Sequence, residues 1–365
     1  MPDRLIGLMS GTSMDAVDAV LVEIDGGRIE VLAHHESTYP KALRDRLQHA
    51  VDHDISLSEY AQLDVAVGRT FAQTAQQLLE TLGLRANAIR AIGSHGQTLR
   101  HSPESEPPYT LQIGDPNTIA ELTGIDTVAD FRRRDMAAGG HAAPLACGFH
   151  AHYFAEPGVP SGVLNLGGIA NLTWLPGDDT PAIGFDTGPA SGLMDAWSQR
   201  YIGRPYDDGG RWARSGELDS PLLETLLAEP YFAQPPPKTT GRDTFNLAWL
   251  DRHLAAHSCT PANVQRTLAE LTVETTARAI EQYADLKHLY ICGGGTRNTF
   301  LIERLTQRLP DIVIETTAVK GIDPQQVEAT AFAWLAHRTL HGEPGNLPSV
   351  TGARDFRILG GIYQA

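Results

Sequence analysis

The sequence predicts an α/β protein built from two duplicated lobes. A chain of 365 residues is longer than one hydrophobic core usually serves, so two lobes are expected. Segments of alternating apolar residues are followed by segments with apolar residues at helical spacing, which is typical of α/β layers. One order of elements (strand, glycine loop, strand, tight turn, strand, helix) occurs first from residue 4 onward and again in residues 162–200.

The first copy begins with three strands joined by short connections. Asp25-Gly26-Gly27 marks a tight turn between the second and third of them. In the helical region that follows, Ser56 and Glu59 form a capping-box pattern and Gly83 is placed to end the helix. The predicted strands of this half are Leu5–Met9, Val17–Ile24, Arg28–Ala33 and Ala88–Ser94.

The second copy repeats this order and is followed by further alternation of helix and strand. Its predicted strands are Val163–Leu166, Ile169–Leu175 and Ala182–Phe185, with a helix starting near Pro189. Further predicted elements are the helix Thr267–Ala284, the strand His288–Cys292, the helix Asn298–Leu309, the strand Ile312–Glu315 and a last helix starting near Pro324. The run Pro235-Pro236-Pro237 is expected to form a surface loop.

Composition and charge exclude several classes of partner. The net charge of −15 argues against nucleic acid and anionic membranes, because a phosphate backbone requires a basic face. Cys147, Cys259 and Cys292 are scattered and odd in number, which favours a reducing compartment over a disulfide framework. The sequence shows no secretion signal and no apolar stretch long enough to span a bilayer. A cytoplasmic protein with no nucleic-acid or membrane partner is therefore expected.

Three glycine loops follow three predicted strands: Gly11-Thr12-Ser13, Gly167-Gly168 and Gly293-Gly294-Gly295. Backbone amides and hydroxyls at strand ends suit phosphate oxygens, because glycine lets the backbone approach closely. Each loop alone could be a simple tight turn, but two of them occupy the same place in a duplicated unit. The chain has neither a P-loop motif nor the spacing of a dinucleotide fingerprint. A phosphate-binding cleft between two duplicated lobes is the arrangement that remains.

These loops and several further motifs resemble a known family. Lobes of this kind resemble the actin, hexokinase and Hsp70 ATPase superfamily, and within it the chain is similar to the anhydro-N-acetylmuramic acid kinases of bacterial cell-wall recycling. The matching stretches occur in the family's order through nearly the whole chain: Gly11–Asp15, Ser94–Thr98, Gln112–Asp115, Ala129–Asp135, Phe185–Pro189 and Cys292–Gly295.

The resemblance implies a set of ATP-binding residues. Residues 11–18 would form the first phosphate loop, with an acid that reaches Mg²⁺ directly or through water. Gly167 and Gly168 would form the second loop, and the triple glycine with Asn298 would line the nucleoside end. The complete set is Gly11, Thr12, Ser13, Met14, Asp15, Ala16, Val17, Asp18, Gly167, Gly168, Gly293, Gly294, Gly295 and Asn298. Which acid coordinates the metal is left open.

Asp186 is the predicted catalytic base. It ends a predicted strand and precedes Thr187-Gly188-Pro189, so its carboxylate would lie at the start of a helix facing the cleft; a simple helix cap is the alternative. By resemblance, Asp186 deprotonates a water that attacks C1 of 1,6-anhydro-N-acetylmuramic acid. The leaving O6 takes the γ-phosphoryl group of ATP, and the product is N-acetylmuramic acid 6-phosphate.

The resemblance also implies contacts to the sugar. Its lactyl carboxylate calls for a cation, and Arg132 is the expected one, with Glu328 as a second polar contact. His95 is a further substrate-binding candidate, although a structural hydrogen bond would explain it equally well. Arg133 and Arg134 have the alternative of ion pairs with Asp130 and Asp135. The histidines around Cys147 lack the spacing of a convincing zinc site.

The sequence departs from the family's pattern at two places and leaves other functions open. Ala16 and Ala190-Ser191 stand where the family has Gly and Gly-Asn. Alternatives are a plain sugar kinase, in which Asp186 deprotonates a sugar hydroxyl, and an ATP-driven clamp without phosphoryl transfer. A sugar-sensing repressor would need a DNA-binding extension, for which the residues before Leu5 leave no room.

The lobes and the oligomeric state are predicted as follows. The N-terminal lobe would span residues 1–130, joined by a C-terminal segment from about 340 to 365, and the other lobe would span 131–340. The apolar last helix and Ile358–Tyr363 are candidates for a homodimer interface.

Overall fold

The computed structural model describes residues 2–11, 14–283 and 285–365. The chain divides into two compact units. Unit 1 comprises residues 1–149 and 326–365, and unit 2 comprises residues 150–325.

Unit 1 is organised around a six-stranded sheet. Its strands are β1 (Asp3–Met9), β2 (Ala16–Asp25), β3 (Arg28–Thr38), β4 (Ala91–Ser94), β7 (Thr127–Ala129) and β13 (Gly361–Tyr363); a separate hairpin contains β5 (Gln97–Ser102) and β6 (Tyr109–Ile113). The order in the sheet is β3-β2-β1-β4-β7-β13. Strands β1, β2 and β3 are antiparallel neighbours, whereas β4 runs parallel to β1 and β7 parallel to β4.

The helices of unit 1 begin and end where local signals place them. The helices are α1 (Lys41–Asp52), α2 (Leu57–Leu82), α3 (Pro116–Thr123), α4 (Phe131–Ala137), α5 (Ala146–Tyr153, which crosses into unit 2), α13 (Val327–Leu340) and α14 (Pro348–Thr351). Ser56 caps α2 by accepting a hydrogen bond from the Glu59 amide, and Gly83 ends it in the left-handed conformation, as the sequence predicts. Helix α13, which the sequence predicted to start near Pro324, begins at Val327.

Unit 2 contains a five-stranded sheet. Its strands are β8 (Ser161–Leu166), β9 (Ile169–Leu175), β10 (Ile183–Pro189), β11 (His288–Cys292) and β12 (Val313–Thr316), in the order β10-β9-β8-β11-β12. Its helices are α6 (Ser191–Ile202), α7 (Arg211–Ser215), α8 (Ser220–Leu227), α9 (Pro230–Ala233), α10 (Leu247–Leu254), α11 (Pro261–Ile280) and α12 (Thr299–Arg308). Helix α11 starts six residues before the predicted Thr267, because Thr260 caps it and Pro261 suits its first turn.

The two sheets share one topology. In unit 2 as in unit 1, three antiparallel strands are followed by two parallel ones on the side of the first strand. The order third-second-first-fourth-fifth therefore occurs twice in one chain. This repetition confirms the predicted fold class, two duplicated actin-like (ribonuclease H-like) lobes. Among the residues that the structure describes, no helix is long and apolar enough to cross a bilayer.

A pair of glycines determines how α13 packs in unit 1. Gly7 of β1 and Gly93 of β4 are direct partners in the parallel ladder at the centre of the sheet. A Cβ atom on Gly7 would lie 1.8 Å from the carbonyl oxygen of Ala329, and one on Gly93 would lie 2.1 Å from that of Phe332. The backbone of α13 therefore rests directly on the backbone of the two strands. Most side chains of α13 are buried in the core of unit 1. The helix is therefore not a candidate for a dimer interface.

A buried carboxylate ties residues 131–149 to the C-terminal segment within unit 1. Asp135 is fully buried and accepts hydrogen bonds from the amide of Ala142, from Asn346 Nδ2 and from Thr351 Oγ1, at 2.8–2.9 Å. The sequence assigned residues 131–149 and the last helix to the other lobe. In the structure both belong to unit 1, because this carboxylate and the glycine contact hold them there.

Replacing Gly93 with alanine is expected to lower the free energy of unfolding by roughly 1–3 kcal/mol or more, because the new methyl group overlaps the α13 backbone. Urea denaturation followed by circular dichroism measures the change. Gly361→Ala is the matched control: it also lies in a strand of unit 1, but its added Cβ would make only ordinary contacts at 3.6 Å or more. Equal stability of the two variants would contradict the packing argument.

Candidate functional site

The first predicted phosphate loop joins β1 to β2. Thr12 and Ser13 lie outside the described residues. Ala16, Val17 and Asp18 belong to β2 rather than to the loop. The side chain of Met14 is buried in the unit 1 core, and its φ of 55° places a non-glycine residue in the left-handed region. Met14 and Val17 can therefore offer only backbone groups to a ligand.

Asp15 in the loop and Asp18 in β2 both have basic neighbours. Asp15 is exposed and pairs with Arg44 at 2.5 Å, and Asp18 lies 2.9 Å from Nε2 of His34 on β3. Ala16, one of the two departures from the family pattern, starts β2 in ordinary extended pairing with Thr38. A methyl group there is compatible with the backbone, because this residue is not among those with positive φ.

Gln97 holds the base of the first loop and was not assigned a role from the sequence. Its side chain is fully buried, with Oε1 2.8 Å from the hydroxyl of Ser10 and Nε2 donating to the carbonyl of Gly11 at 3.2 Å. Ser10 Oγ also lies 2.9 Å from the carbonyl of Ala16, so one small network joins both ends of the loop. The motif Ser94–Thr98 signals this position, but the contact partner lies more than 80 residues away.

Gly167 and Gly168 form the turn between β8 and β9, and the start of α6 anchors it. The carbonyl of Gly167 accepts hydrogen bonds from the amide and the hydroxyl of Ser191, and the carbonyl of Gly168 accepts from the amides of Ala190 and Gly192. Because N–H and C=O point in opposite directions within one peptide, the Gly168 amide points away from α6. Ala190-Ser191, the second departure from the family pattern, therefore supplies donors that position this turn.

The three glycines after β11 have different reasons to be glycine. A Cβ on Gly293 would lie 2.2 Å from Asn165 Oδ1, and one on Gly295 would lie 2.7 Å from the Cβ of Leu166, so both pack against the end of β8. A Cβ on Gly294 would meet nothing closer than Gln325 Oε1 at 4.0 Å. Neither packing nor backbone conformation requires glycine at 294, which is the condition expected where a ligand approaches the backbone.

Asn298 acts as the N-cap of α12. Its Oδ1 accepts a hydrogen bond from the amide of Leu301 at 3.0 Å. A Cβ on Gly210 would lie only 2.2 Å from the same oxygen. The side chain is thus held in place by structural contacts, and its contact with a nucleoside stays a prediction.

Asp186 lies inside β10, not at its end. The strand continues to Pro189 and pairs with β9 through a bulge between Asp186 and Gly188. The sequence placed the strand end at Asp186 because Thr187-Gly188-Pro189 is typical of a turn. Gly188 adopts a φ of +150°, and the bulge absorbs the irregularity. The alternative of a helix cap is wrong, because α6 begins at Ser191 with Ala190 as its capping residue.

The segment that follows Pro237 holds the Asp186 side chain through hydrogen bonds. The Oδ2 atom accepts hydrogen bonds from the Thr239 hydroxyl at 2.8 Å and from the Thr240 amide at 2.9 Å. The main chain of Asp186 bonds to the same region, because its amide donates to the Lys238 carbonyl and its carbonyl accepts from the Tyr231 hydroxyl. Hydrogen bonds to a carboxylate favour its charged form. Residues 238–240 are therefore part of the site, although the sequence indicated only a surface loop.

Lys238 supplies a buried cation near this carboxylate. Its ammonium group lies 3.3 Å from the carbonyl oxygens of Tyr231 and Phe232 and 4.7 Å from the centre of the Tyr231 ring. Burial lowers the pKa of Lys238, and the neighbouring Asp186 carboxylate acts in the opposite direction. Burial and the same carboxylate raise the pKa of Tyr231. Lys238 is thus a cation near Asp186, in addition to the donors from Thr239 and Thr240.

His95 and Arg132 form a hydrogen-bonded pair in unit 1. Nδ1 of His95 lies 2.8 Å from the Gly96 carbonyl, and Nε2 accepts from Nε of Arg132 at 3.0 Å. Burial is the main reason why the pKa of His95 lies well below its ordinary value, and the positive charge of Arg132 lowers this pKa further. His95 is therefore a neutral acceptor that orients Arg132, whose Nη1 also donates to the Ala142 carbonyl. Arg133 instead pairs with Asp130 at 2.7 Å.

Helix α13 brings Glu328 to the same edge of the unit 1 sheet. Phe332, which is one turn beyond Glu328, contacts the ring of His95 with centroids 4.6 Å apart. Glu328 is half-buried in the first turn of the helix. Since α13 runs antiparallel to β1 and β4, its first turn lies toward the carboxyl ends of these strands, where His95 and the first loop begin. The structure therefore brings together His95 and Arg132, with Glu328 at the same sheet edge.

The duplicated topology, with glycine turns after the first and fourth strands of unit 2, defines a protein of the actin-like ATPase fold. Comparison with known families identifies which one. A family model described as anhydro-N-acetylmuramic acid kinase matches residues 3–365, and the chain belongs to this family of kinases.

Curated relatives match over the same length. The chain is 49% identical over 362 residues to an anhydro-N-acetylmuramic acid kinase of Shewanella pealeana, and the match covers 99% of this chain and 98% of the relative. It is 49% identical over 364 residues to one of Coxiella burnetii, covering 99% and 97%. It is 50% identical over 372 residues to one of Variovorax paradoxus, covering 100% and 99%. The family resemblance drawn from the motifs is thereby confirmed.

Proposed function

We propose that the protein phosphorylates 1,6-anhydro-N-acetylmuramic acid with ATP and opens the anhydro ring with water in the same reaction. The product is N-acetylmuramic acid 6-phosphate, an intermediate of cell-wall recycling. The observation that carries the proposal is the carboxylate of Asp186, held by Thr239 and Thr240 beside the buried Lys238 in a chain that belongs to this kinase family throughout its length.

In the proposed reaction, Asp186 accepts a proton from the attacking water. The water oxygen bonds to C1 as the C1–O6 bond breaks, and O6 bonds to the γ-phosphorus of ATP as ADP leaves. In ordinary glycoside hydrolysis a carboxylic acid protonates the leaving oxygen. Here the phosphoryl group takes that part, so only one carboxylate is needed. The two donors on Oδ2 hold the orientation of the Asp186 carboxylate for the proton transfer.

ATP binding is assigned to residues 11–18, Gly167, Gly168, the triple glycine and Asn298. The geometry of two glycines supports this assignment, because Gly294 has no packing reason to lack a side chain and the Gly168 amide points away from α6. A protein contributes to phosphoryl transfer mainly by positioning the reactants and stabilising charge. Amides that donate to phosphate oxygens do both.

Mg²⁺ fits the two acids in the first loop and at the start of β2. Asp15 and Asp18 offer the hard carboxylate oxygens that this ion prefers, and their side chains are 57% and 26% exposed in their pairs with Arg44 and His34. These two residues would hold the ion. When bound, it would neutralise charge on the phosphoryl oxygens.

The sugar is assigned to Arg132 and Glu328 of unit 1, with His95 as the residue that orients Arg132. Arg132 would pair with the lactyl carboxylate, for which a guanidinium is well suited. His95 acts through Arg132, since its Nε2 accepts from the guanidinium and its Nδ1 lies against the Gly96 carbonyl. It is thus a positioning residue rather than a direct contact.

Gly294→Ala is expected to raise the KM for ATP by roughly tenfold, equivalent to about 1.4 kcal/mol of lost binding, with unchanged thermal stability. The methyl group would meet nothing closer than Gln325 Oε1 at 4.0 Å but would occupy the space assigned to ATP. Gly295→Ala is the contrasting variant, since its Cβ clashes with Leu166 and should lower the unfolding temperature. Steady-state kinetics and thermal unfolding separate the two. Wild-type ATP affinity in Gly294→Ala would refute the assignment.

Asp186→Asn is expected to reduce turnover by roughly 10²–10⁴-fold, the usual cost of removing a general base. The amide oxygen can still accept from Thr239 and Thr240, so the fold and ATP binding should persist. A coupled ADP-release assay and calorimetry with ATP measure the two properties. Asp311→Asn, an exposed acid of the same unit, is the control. Near-normal turnover in Asp186→Asn would sink the base assignment.

Mass spectrometry in ¹⁸O-labelled water tests the coupled reaction. With ATP, Mg²⁺ and the anhydro sugar, the expected product is heavier by one phosphoryl group and one labelled water, with the label at C1. A phosphorylated sugar with an intact anhydro ring would instead show a plain sugar kinase. ATP binding without any product would favour the clamp.

A further inference from the structure

Three metal-ligating side chains converge in unit 1, at the end of the sheet opposite to the first loop. Asp3 is the first residue of β1, His337 lies in the last turn of α13, and His341 caps that helix. Oδ2 of Asp3 lies 3.6 Å from Nε2 of His337 and 3.6 Å from Nε2 of His341. In the described part of the chain, this is the one group of His, Cys, Asp or Glu residues with ligand geometry.

The distances between these atoms suit a small divalent metal ion. The three ligand atoms lie within 4.8 Å of one another, and two of the separations are 3.6 Å. The point in the plane of the three atoms that is equidistant from them is therefore at most about 2.4 Å from each. This distance is close to the 2.0–2.2 Å bonds of zinc to nitrogen and oxygen ligands. A separation of 3.6 Å is too long for a hydrogen bond, so direct hydrogen bonds do not explain the convergence.

The second nitrogen of His341 has the partner typical of a metal ligand. Its Nδ1 lies 2.8 Å from the carbonyl oxygen of His337, so Nδ1 carries the proton and donates. In the neutral ring the Nε2 lone pair then faces the Asp3 carboxylate. Such a hydrogen bond to a backbone carbonyl is the usual second contact that orients a metal-bound imidazole. The two rings lie 4.1 Å apart, which places both on the same face of the helix end.

The supporting backbone is rigid, and the site is open to solvent. Asp3 is held in the β1–β2 ladder, and α13 is held against β1 by the contact at Gly7. His341 is 46% exposed, whereas His337 and Asp3 are 20% and 25% exposed, so an ion could enter from water. Water would complete the coordination of an ion bound by two imidazoles and one carboxylate.

We propose that Asp3, His337 and His341 form a binding site for a divalent transition metal of the zinc class. The site joins the start of β1 to the end of α13 and acts as a clip between them. It lies at the opposite end of β1 from the loop assigned to phosphate, so the bound metal stabilises unit 1 without taking part in phosphoryl transfer.

A second pair of histidines has no carboxylate in ligand geometry among the residues that the structure describes. His49 and His53 also stand four residues apart at the end of a helix, α1, with rings 4.5 Å apart and Nδ1 of His53 3.3 Å from the His49 carbonyl. Two histidines at this spacing can chelate metal weakly by themselves. The difference between the two pairs isolates the contribution of Asp3.

The test is zinc binding by calorimetry and thermal unfolding, on untagged protein freed of metal. The wild type should bind one Zn²⁺ with a raised unfolding temperature, because a ligand of the native state stabilises it. Asp3→Asn and His337→Gln should each weaken that binding at least about tenfold and abolish most of the temperature rise. The double variant His49→Gln/His53→Gln should bind as the wild type does.

Circular dichroism of metal-free Asp3→Asn checks that this variant folds, and His341→Gln provides a second probe should it fail. Kinase turnover in Mg²⁺ should be the same in Asp3→Asn as in the wild type. Affinity that is unchanged by Asp3→Asn, or that is lost in the His49/His53 variant, would overturn the proposal, as would the absence of zinc binding by the wild type.

Discussion

The close approach of helix α13 to the centre of the unit 1 sheet is the constraint on which the rest of that unit depends. Two glycines, Gly7 and Gly93, remove the side chains that would keep the helix at the usual distance. With the helix seated there, one end places Phe332 on His95 and Glu328 near the first loop, and the other end places two histidines beside Asp3. One backbone contact therefore determines the geometry at both ends of the sheet.

In unit 2, hydrogen bonds hold the Gly167-Gly168 turn and the Asp186 carboxylate in position. The turn at Gly167-Gly168 is held by donors at the start of α6, and the carboxylate of Asp186 is held by Thr239 and Thr240. Gly293 and Gly295 allow the third glycine loop to pack closely against the end of β8. Contacts within unit 2 therefore fix the backbone of this loop.

The sequence predicted those parts of the molecule that rest on local pattern. Alternation identified most strands, Ser56 and Gly83 marked the ends of α2, and the duplication was visible because both copies carry a glycine turn after the first strand. It did not show that Gln97 holds the first loop, that Lys238 lies near Asp186 or that Asp3 meets His337, because these contacts join residues far apart in the chain. The end of β10 was misplaced because a bulge with Gly188 resembles a turn when only neighbouring residues are compared.

The division of unit 1 between both ends of the chain has a consequence for biosynthesis. A ribosome delivers residues 1–149 first, but the helix that covers the centre of their sheet is α13, which emerges only after all of unit 2. Unit 2 is continuous and can complete its core while translation proceeds. The early strands of unit 1 keep one apolar face uncovered until α13 has been made, so unit 1 can complete its core only after the chain of unit 2 has been synthesised.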